Sequence, residues 1–249
     1  MQSDRGWKNI IELEEVHSTN QYLHDLTVCQ DVEHGTLVTA GFQSAGKGHG
    51  EATWASESGK NLLVSVYLKE PCIPVEKQFY LSKITSLAIR DVLKSICPDT
   101  VIKWPNDIFI RNKKIGGILI ENTIVGRKLM SAIVGIGLNV NQEHFPAFIP
   151  PATSILLETG EPEEISGLLN LLVNALKERY GQLCQEEYDK INREYLGNLY
   201  KYKEESKYKA EKHIFLATIT GVKESGELEL KTGEGTVKTY SFKEVQYIH

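Results

Sequence analysis

The stretch from Lys114 to Val140 constrains the fold more than any other part of the chain. Two apolar, β-prone runs, Lys114 to Val125 and Lys128 to Val140, flank a turn at Gly126 and pair naturally as a hairpin. Both runs carry internal glycines: Gly116-Gly117 in the first, Gly135 and Gly137 in the second. Glycine weakens a strand interior, so two such sets need a reason. Either a ligand or another backbone approaches closely there, or these are bulged core strands. Lys114 enters the first run beside the glycines, which makes it a candidate ligand contact; a solvated turn lysine is the alternative reading.

The rest of the chain supplies a sheet and helices for this hairpin. Ile10 to Val16, Thr36 to Gln43 and Asn61 to Leu68 read as strands, as do Val101 to Lys103 and Asp107 to Ile110, with a tight turn at Arg111-Asn112-Lys113. Helical spacing of apolar residues runs over Val75 to Ile96 and Glu163 to Glu186, and a polar helical stretch continues to about Tyr200. Gln21 to Val28 reads as an amphipathic helix that Ser18 or Thr19 can cap. Lys201 to His213 is charged, with little periodicity, and reads as a linker. Short β segments follow at Ile214 to Val222, Glu227 to Lys231 and Thr236 to Phe242, separated by glycine turns, which suggests a small barrel. The fold class is therefore α+β: a mixed β-sheet packed with helices over residues 1–200, then a small β-barrel over residues 201–249.

Composition excludes several classes of function. The 249 residues suffice for one large domain and a small second one. A formal net charge of -5 argues against a wholesale nucleic-acid binder. The amino terminus, Met1 to Arg5, is polar and offers no secretory h-region. No apolar run approaches the roughly eighteen residues that a membrane helix needs. Cys29, Cys72, Cys97 and Cys184 are scattered without close spacing, so they read as reduced packing residues of a cytoplasmic protein.

Two further segments carry chemistry. Gln43-Ser44-Ala45-Gly46-Lys47-Gly48-His49-Gly50 alternates glycine with polar residues; its N–H groups and Lys47 suit anionic oxygens, although a lone glycine-rich loop is a weak signal. Lys103-Trp104-Pro105-Asn106-Asp107 is turn-forming, yet it places a large aromatic and two hydrogen-bonding side chains at one point. Trp104 there requires either a packing or a binding reason.

Taken together and in order, these segments resemble the biotin–protein ligase family from about Trp7 to the carboxyl terminus. Ser18-Thr19-Asn20 is similar to its S-T-N segment, and Gln43 to His49 to its glycine–arginine loop. Lys103 to Asp107 reproduces its K-W-P-N-D motif, which is the most specific signal. Lys114 to Leu119 looks like its K-(L/I)-x-G-I-L strand, and Gly135 to Asn141 like its G-x-G-x-N strand. The resemblance implies a class II synthetase-like biotin/lipoate ligase fold with an SH3-like carboxyl-terminal barrel. It implies a reaction as well: biotin is activated with ATP to biotinyl-5′-AMP and passed to a lysine of a biotin carboxyl carrier protein or domain, with Mg²⁺ on the phosphates. Matched by motif, Lys114 is the catalytic residue beside the biotin carboxylate. Ser18, Thr19, Asn20, Gln43, Gly46, Lys47 and Gly116 complete the biotin site. Lys47, Gly48, His49, Trp54, Asn106, Asp107 and Asn139 lie on the nucleotide side. No nucleic-acid or membrane partner is implied, and a homodimer through the sheet is compatible with the family pattern.

One departure stands out. The family's loop commonly reads G-R-G-R, whereas here Lys47 and His49 replace the arginines and Glu51 adds a negative charge. Lysine lacks the guanidinium fork, and histidine is charged only when protonated. The resembling segment starts near Trp7, so the expectation is a form without the winged helix of the family's repressor members. Two alternatives follow: a lipoate–protein ligase with the same adenylate chemistry, and a catalytically silent biotin-binding module, which the altered loop alone supports.

Overall fold

The structure is a computed structural model that describes Trp7 and residues 9–50, 52–147 and 150–248. In chain order the elements are β1 (Ile10–Val16), α1 (Thr19–Cys29), β2 (Leu37–Gln43), β3 (Asn61–Lys69), α2 (Phe79–Leu93), β4 (Thr100–Lys103), β5 (Asp107–Ile110), β6 (Lys113–Val125) and β7 (Lys128–Asn139). There follow α3 (Ile155–Thr159), α4 (Ile165–Cys184), α5 (Tyr188–Gly197), β8 (Glu205–Ala210), β9 (His213–Val222), β10 (Leu228–Thr232), β11 (Val237–Tyr240) and β12 (Val245–Tyr247).

The first seven strands form one sheet in the order β1-β2-β3-β7-β6-β5-β4, parallel only between β1 and β2. Alternation decides what each face does. On β3, Leu62, Val64, Val66 and Leu68 join the main apolar core, as do Ala132, Val134, Ile136 and Leu138 on β7. Residues of α2 and α4 pack in the same core: Leu81, Ile84, Leu87, Leu168, Leu172 and Leu176. The opposite face is thinly covered. There α1 packs Leu23 against Val38 and Ile133, and Ser65, Gly135 and Gly137 carry little or no side chain. That face holds the site.

The remaining strands form a five-stranded antiparallel sheet, order β11-β10-β9-β8-β12. It is joined to the first part at Trp104, whose indole N–H donates to Gly226 O at 2.8 Å and stacks on Phe242 at 5.4 Å. This is the packing reason that Trp104 required.

Three readings of the sequence are corrected. Residues 201–213 are no linker, because β8 lies within them and pairs with β9 and β12. Only Ser206 and Tyr208 of β8 turn inward, too few to give the sequence an apolar rhythm. Cys72 and Cys184 form a disulfide, 112 positions apart, between the turn after β3 and the end of α4; Cys29 and Cys97 are free. That separation left no local signature. Ser18 stands at the amino-terminal cap of α1 but makes no side-chain cap bond. Met1 to Arg5 and Glu51 lie outside the described residues.

Lys83 of α2 offers a test of the core. It is fully buried, donates to Asn192 Oδ1 at 2.8 Å and lies 4.5 Å from the centre of the Tyr80 ring. Burial pushes its pKa down from 10.5 to about 8, against a small opposing pull from Glu224. The folded state therefore resists protonation more than the unfolded state does. Its penalty is complete below about pH 8 and fades as pH rises toward the unfolded value. Lys83→Met should stabilise the fold at pH 7, by at most about 3 kcal/mol, and the advantage should shrink by pH 10. Urea denaturation at both pH values checks this. An equal gain at both would mean that Lys83 does not titrate in this window.

Candidate functional site

The floor of the site is built from strand backbone. Gly117 of β6 pairs with Gly137 of β7, and Gly135 of β7 pairs with Ser65 of β3. A Cβ on Gly135 would lie 2.3 Å from Asn20 Oδ1, and one on Gly137 would lie 2.5 Å from the Trp54 indole. At these two positions only glycine leaves the space that the neighbouring side chains occupy.

A register shift sets which lysine and which glycine face the cavity. Ile108 pairs with Gly116 but Phe109 with Lys114, so Ile115 has no partner on β5. This bulge turns Ile115 and Gly116 together toward the core. Ile115 is fully buried in the core, and a Cβ on Gly116 would meet Leu138 and Ile108. Lys114 and Gly117, three positions apart, thereby share the site face, which plain alternation forbids. A strap beyond β7 holds this point. Lys114 N donates to Pro151 O and Thr153 N donates to Lys114 O, both at 2.9 Å.

One end of the site is an amide and hydroxyl cluster. Gln43 Oε1 accepts from Thr19 N at 2.8 Å and from Thr19 Oγ1 at 3.0 Å. With Oε1 doubly occupied, Gln43 presents its Nε2 protons. The Ser65 hydroxyl lies 2.7 Å from Thr19 Oγ1 and 2.6 Å from Asn20 Oδ1. Asn20 Nδ2 donates to Glu121 Oε2 at 2.7 Å. Buried polar groups cost little when paired in this way.

The other end is ionic. Lys114 Nζ lies 2.6 Å from Asp107 Oδ1, with both side chains largely shielded, and 5.8 Å from the centre of the Trp54 ring. Asn106 fastens the β4–β5 turn to β6: its Nδ2 donates to Ile118 O at 2.7 Å and its carbonyl accepts from Ile118 N at 2.9 Å. The glycine-rich loop doubles back as a small hairpin. Trp54 N donates to Gly46 O at 2.8 Å, Gly48 N donates to Ala52 O at 2.7 Å, and Lys47 bridges Thr53. Lys47 Nζ donates to Gln21 Oε1 at 2.8 Å, and the His49 ring packs edge-on against Phe242.

Between these ends lies a cavity of about 220 Å³. Ser18, Thr19, Asn20, Gln43, Lys47, Gly48, His49, Trp54, Asn106, Asp107 and Lys114, all named by the family resemblance, line it. Three expected residues stand outside the lining. Gly46 is occupied by its pairing with Trp54, Gly116 faces the core through the bulge, and Asn139 is buried, donating to Thr153 O at 2.9 Å. The sequence reading also passed over Ser65 and Glu121, which do not line the cavity but hold Thr19 and Asn20 from behind, because a lone serine or glutamate within a strand carries no motif. The glycines Gly117, Gly135 and Gly137 were legible as a set.

The profile of the Biotin/lipoate A/B protein ligase family matches residues 13–139. Over 238 residues the chain is 30% identical to the bifunctional ligase/repressor BirA of Bacillus subtilis, covering 94% of this chain and 73% of that protein. The chain belongs to the biotin/lipoate protein ligase family. It is also 30% identical over 159 residues to the biotin–[acetyl-CoA-carboxylase] ligase of Mycobacterium tuberculosis, covering 62% of this chain and 57% of that protein. In three dimensions it resembles the biotin protein ligase of Aquifex aeolicus in complex with biotin and ATP. That match has a TM-score of 0.81 and 27% identity, and covers 97% of this chain and all of that one (100%).

The seat of Trp54 on the glycine floor can be tested directly. Gly137→Ala places a methyl group inside the indole contact, so the ring must move outward, at a cost of about 1–3 kcal/mol. Trp7 and Trp104 are both buried. Intrinsic fluorescence should therefore shift to the red through Trp54 alone, and Trp54→Phe should abolish that shift. An unchanged spectrum in Gly137→Ala would refute the seat.

Proposed function

We propose that this cavity activates biotin with ATP and passes the biotinyl group to a lysine of a biotin carboxyl carrier protein or domain. The observation that carries the reading is the position of Lys114. Its ammonium stands in the cavity wall, held by Asp107 Oδ1 at 2.6 Å and 5.8 Å from the centre of the Trp54 ring. Joining a carboxylate to a phosphate brings two anions together, and a fixed cation at that junction lowers the barrier. The free Nε2 protons of Gln43, with Ser18, Thr19 and Asn20, suit the ureido ring of biotin. Lys47, Gly48, His49, Trp54, Asn106 and Asp107 suit the nucleotide, with Trp54 stacked on it. In the first step a biotin carboxylate oxygen attacks the α-phosphorus, the α–β phosphoanhydride bond breaks, and pyrophosphate leaves. In the second, the carrier amine attacks the acyl carbon of biotinyl-5′-AMP. An amide forms, the acyl–phosphate bond breaks, AMP leaves and the amine loses a proton.

Among the described residues no group of three His, Cys, Asp or Glu side chains could cage a metal ion. Asp107, the carboxylate in the cavity wall, is engaged by Lys114. Mg²⁺ would therefore enter with ATP, held by its phosphates, as small hard cations commonly do. We place the catalytic part at residues 1–200 and the small β part at 201–249. We place the reaction in the cytoplasm, where ATP is available; there the Cys72–Cys184 pair would be exposed to thiol reductants. No helix among the described residues is long and apolar enough to cross a membrane. A homodimer through the sheet remains part of this proposal, with no nucleic-acid partner.

Lys114→Ala should slow biotin-dependent pyrophosphate release roughly a hundredfold or more with the fold intact by circular dichroism. A near-normal rate would remove Lys114 from the chemistry. Gln43→Ala should weaken biotin binding more than ATP binding, by about 1–3 kcal/mol; calorimetry with each ligand separates the two, and equal losses would indicate damage to the loop. Exchange of labelled pyrophosphate into ATP, run with biotin and with lipoate, tests the substrate. Dependence on lipoate alone would point to the sister activity, and biotin binding without exchange to a silent module.

A further inference from the structure

The hydrogen bonds behind the amide end of the cavity do not balance. Thr19 Oγ1 donates its one proton to Gln43 Oε1 at 3.0 Å, and Thr19 N donates to the same oxygen at 2.8 Å. The second bond fixes that end, because a backbone N–H can only donate. Ser65 on β3 is fully buried. Its hydroxyl lies 2.7 Å from Thr19 Oγ1 and 2.6 Å from Asn20 Oδ1. Both of those oxygens can take a proton from Ser65, and neither has one left to give it. One hydroxyl proton therefore faces two acceptors.

Glu121 is the cause of this shortfall. A side-chain amide can turn over, exchanging its oxygen and nitrogen with almost no change of shape. Were Asn20 turned, its nitrogen would donate to Ser65, Ser65 to Thr19 and Thr19 to Gln43, and every contact would hold a proton. On its other side, however, Asn20 Nδ2 donates to Glu121 Oε2 at 2.7 Å and lies 3.4 Å from Leu119 O. An ionised carboxylate and a carbonyl only accept, so turning the amide would set one oxygen against two. A hydrogen bond to a charged group is also stronger than a neutral one. Asn20 is buried, whereas Glu121 is exposed and stands outside the cavity lining.

We propose that Glu121 is a positioning residue that sets the specificity of the cavity for a ligand bearing N–H groups. It holds Asn20 in the orientation that leaves the cluster one proton short. The acceptor that Ser65 leaves free belongs to Thr19 or Asn20, and both line the cavity. A ligand N–H supplies the missing proton, while Gln43 presents its Nε2 donors beside it. A donor next to an acceptor matches a cyclic urea, whose carbonyl accepts and whose N–H groups donate; a dithiolane ring offers neither. Such a site discriminates strongly, since a ligand without the donor leaves the acceptor buried and unpaired. The inference rests on the ligase reading above and concerns a residue outside the cavity.

The test uses the whole chain and three ligands: biotin and the two cyclic carbamates in which oxygen replaces one or other ureido N–H. Each carbamate keeps the shape of the ring and removes a single donor. Calorimetry on the wild type should show one of them bound about a hundredfold more weakly than biotin. Glu121→Gln frees the Asn20 amide to turn, and Glu121→Lys, which can only donate, turns it outright. The position is exposed, so the fold should hold in both, and circular dichroism checks it. In Glu121→Lys biotin should bind about tenfold more weakly, and its preference over that carbamate should fall to about tenfold or less. Glu121→Gln should lie between. A structural role alone would weaken all three ligands together and leave the preference intact, and that result in both variants would overturn the proposal. So would a wild type that binds both carbamates as tightly as biotin. Exchange of labelled pyrophosphate into ATP is read in parallel. A preference that collapses in the variants of a protein without biotin-dependent exchange leaves the role of Glu121 standing and sinks the ligase reading. Normal exchange with a fixed preference does the reverse.

Discussion

The site depends on a contact between backbones. Gly117, Gly135 and Gly137 sit on adjacent strands of one sheet face, and the absence of side chains there makes a shelf in an otherwise close-packed molecule. Everything else is arranged around that shelf. Asn20 reaches across Gly135, and Trp54 lies on Gly117 and Gly137. The opposite faces of the same strands carry Val64, Val134, Ile136 and Leu138 in the main core. Stability and function are thus divided between the two sides of one sheet. Close packing on one side holds rigid the shelf exposed on the other.

The bulge at Ile115 is the second constraint. It is one unpaired residue, yet it places Lys114 and Gly117 on the same face and so brings the ammonium to Asp107. The strap at Pro151 to Thr153 pairs with the backbone of Lys114, which fixes the base of a long and otherwise mobile side chain. A lysine carries large rotamer entropy; anchoring its backbone on one edge and its ammonium on Asp107 removes much of it before any ligand arrives.

Much of this could be read from the sequence. The glycine-bearing hairpin, the turn at Trp104 to Asp107 and the helix of Phe79–Leu93 each combine a strong local pattern with a single structural solution. What escaped reading lacked a local signal. The bulge made Gly117 rather than Gly116 the cavity glycine, and no propensity distinguishes adjacent glycines. Asn139 has the composition of a site residue but is used to hold the strap at Thr153. Strand β8 hides its alternation behind only two inward residues, Ser206 and Tyr208. The Cys72–Cys184 bond joins points that only the folded chain brings together.

The contact of Trp104 with the small sheet bears on how the molecule could be shortened. Phe79, Trp104 and Ile102 are all buried, and Gly226 and Phe242 of the carboxyl-terminal part pack against the first two. Large aromatic side chains bury roughly 150–250 Å² each. A chain ending near residue 200 would therefore turn an internal seam into an adhesive surface on the order of several hundred Å², beyond what soluble monomers usually tolerate. The small β part acts as a lid on the hydrophobic edge of its larger neighbour, and a truncated protein would be expected to clump before it could be assayed.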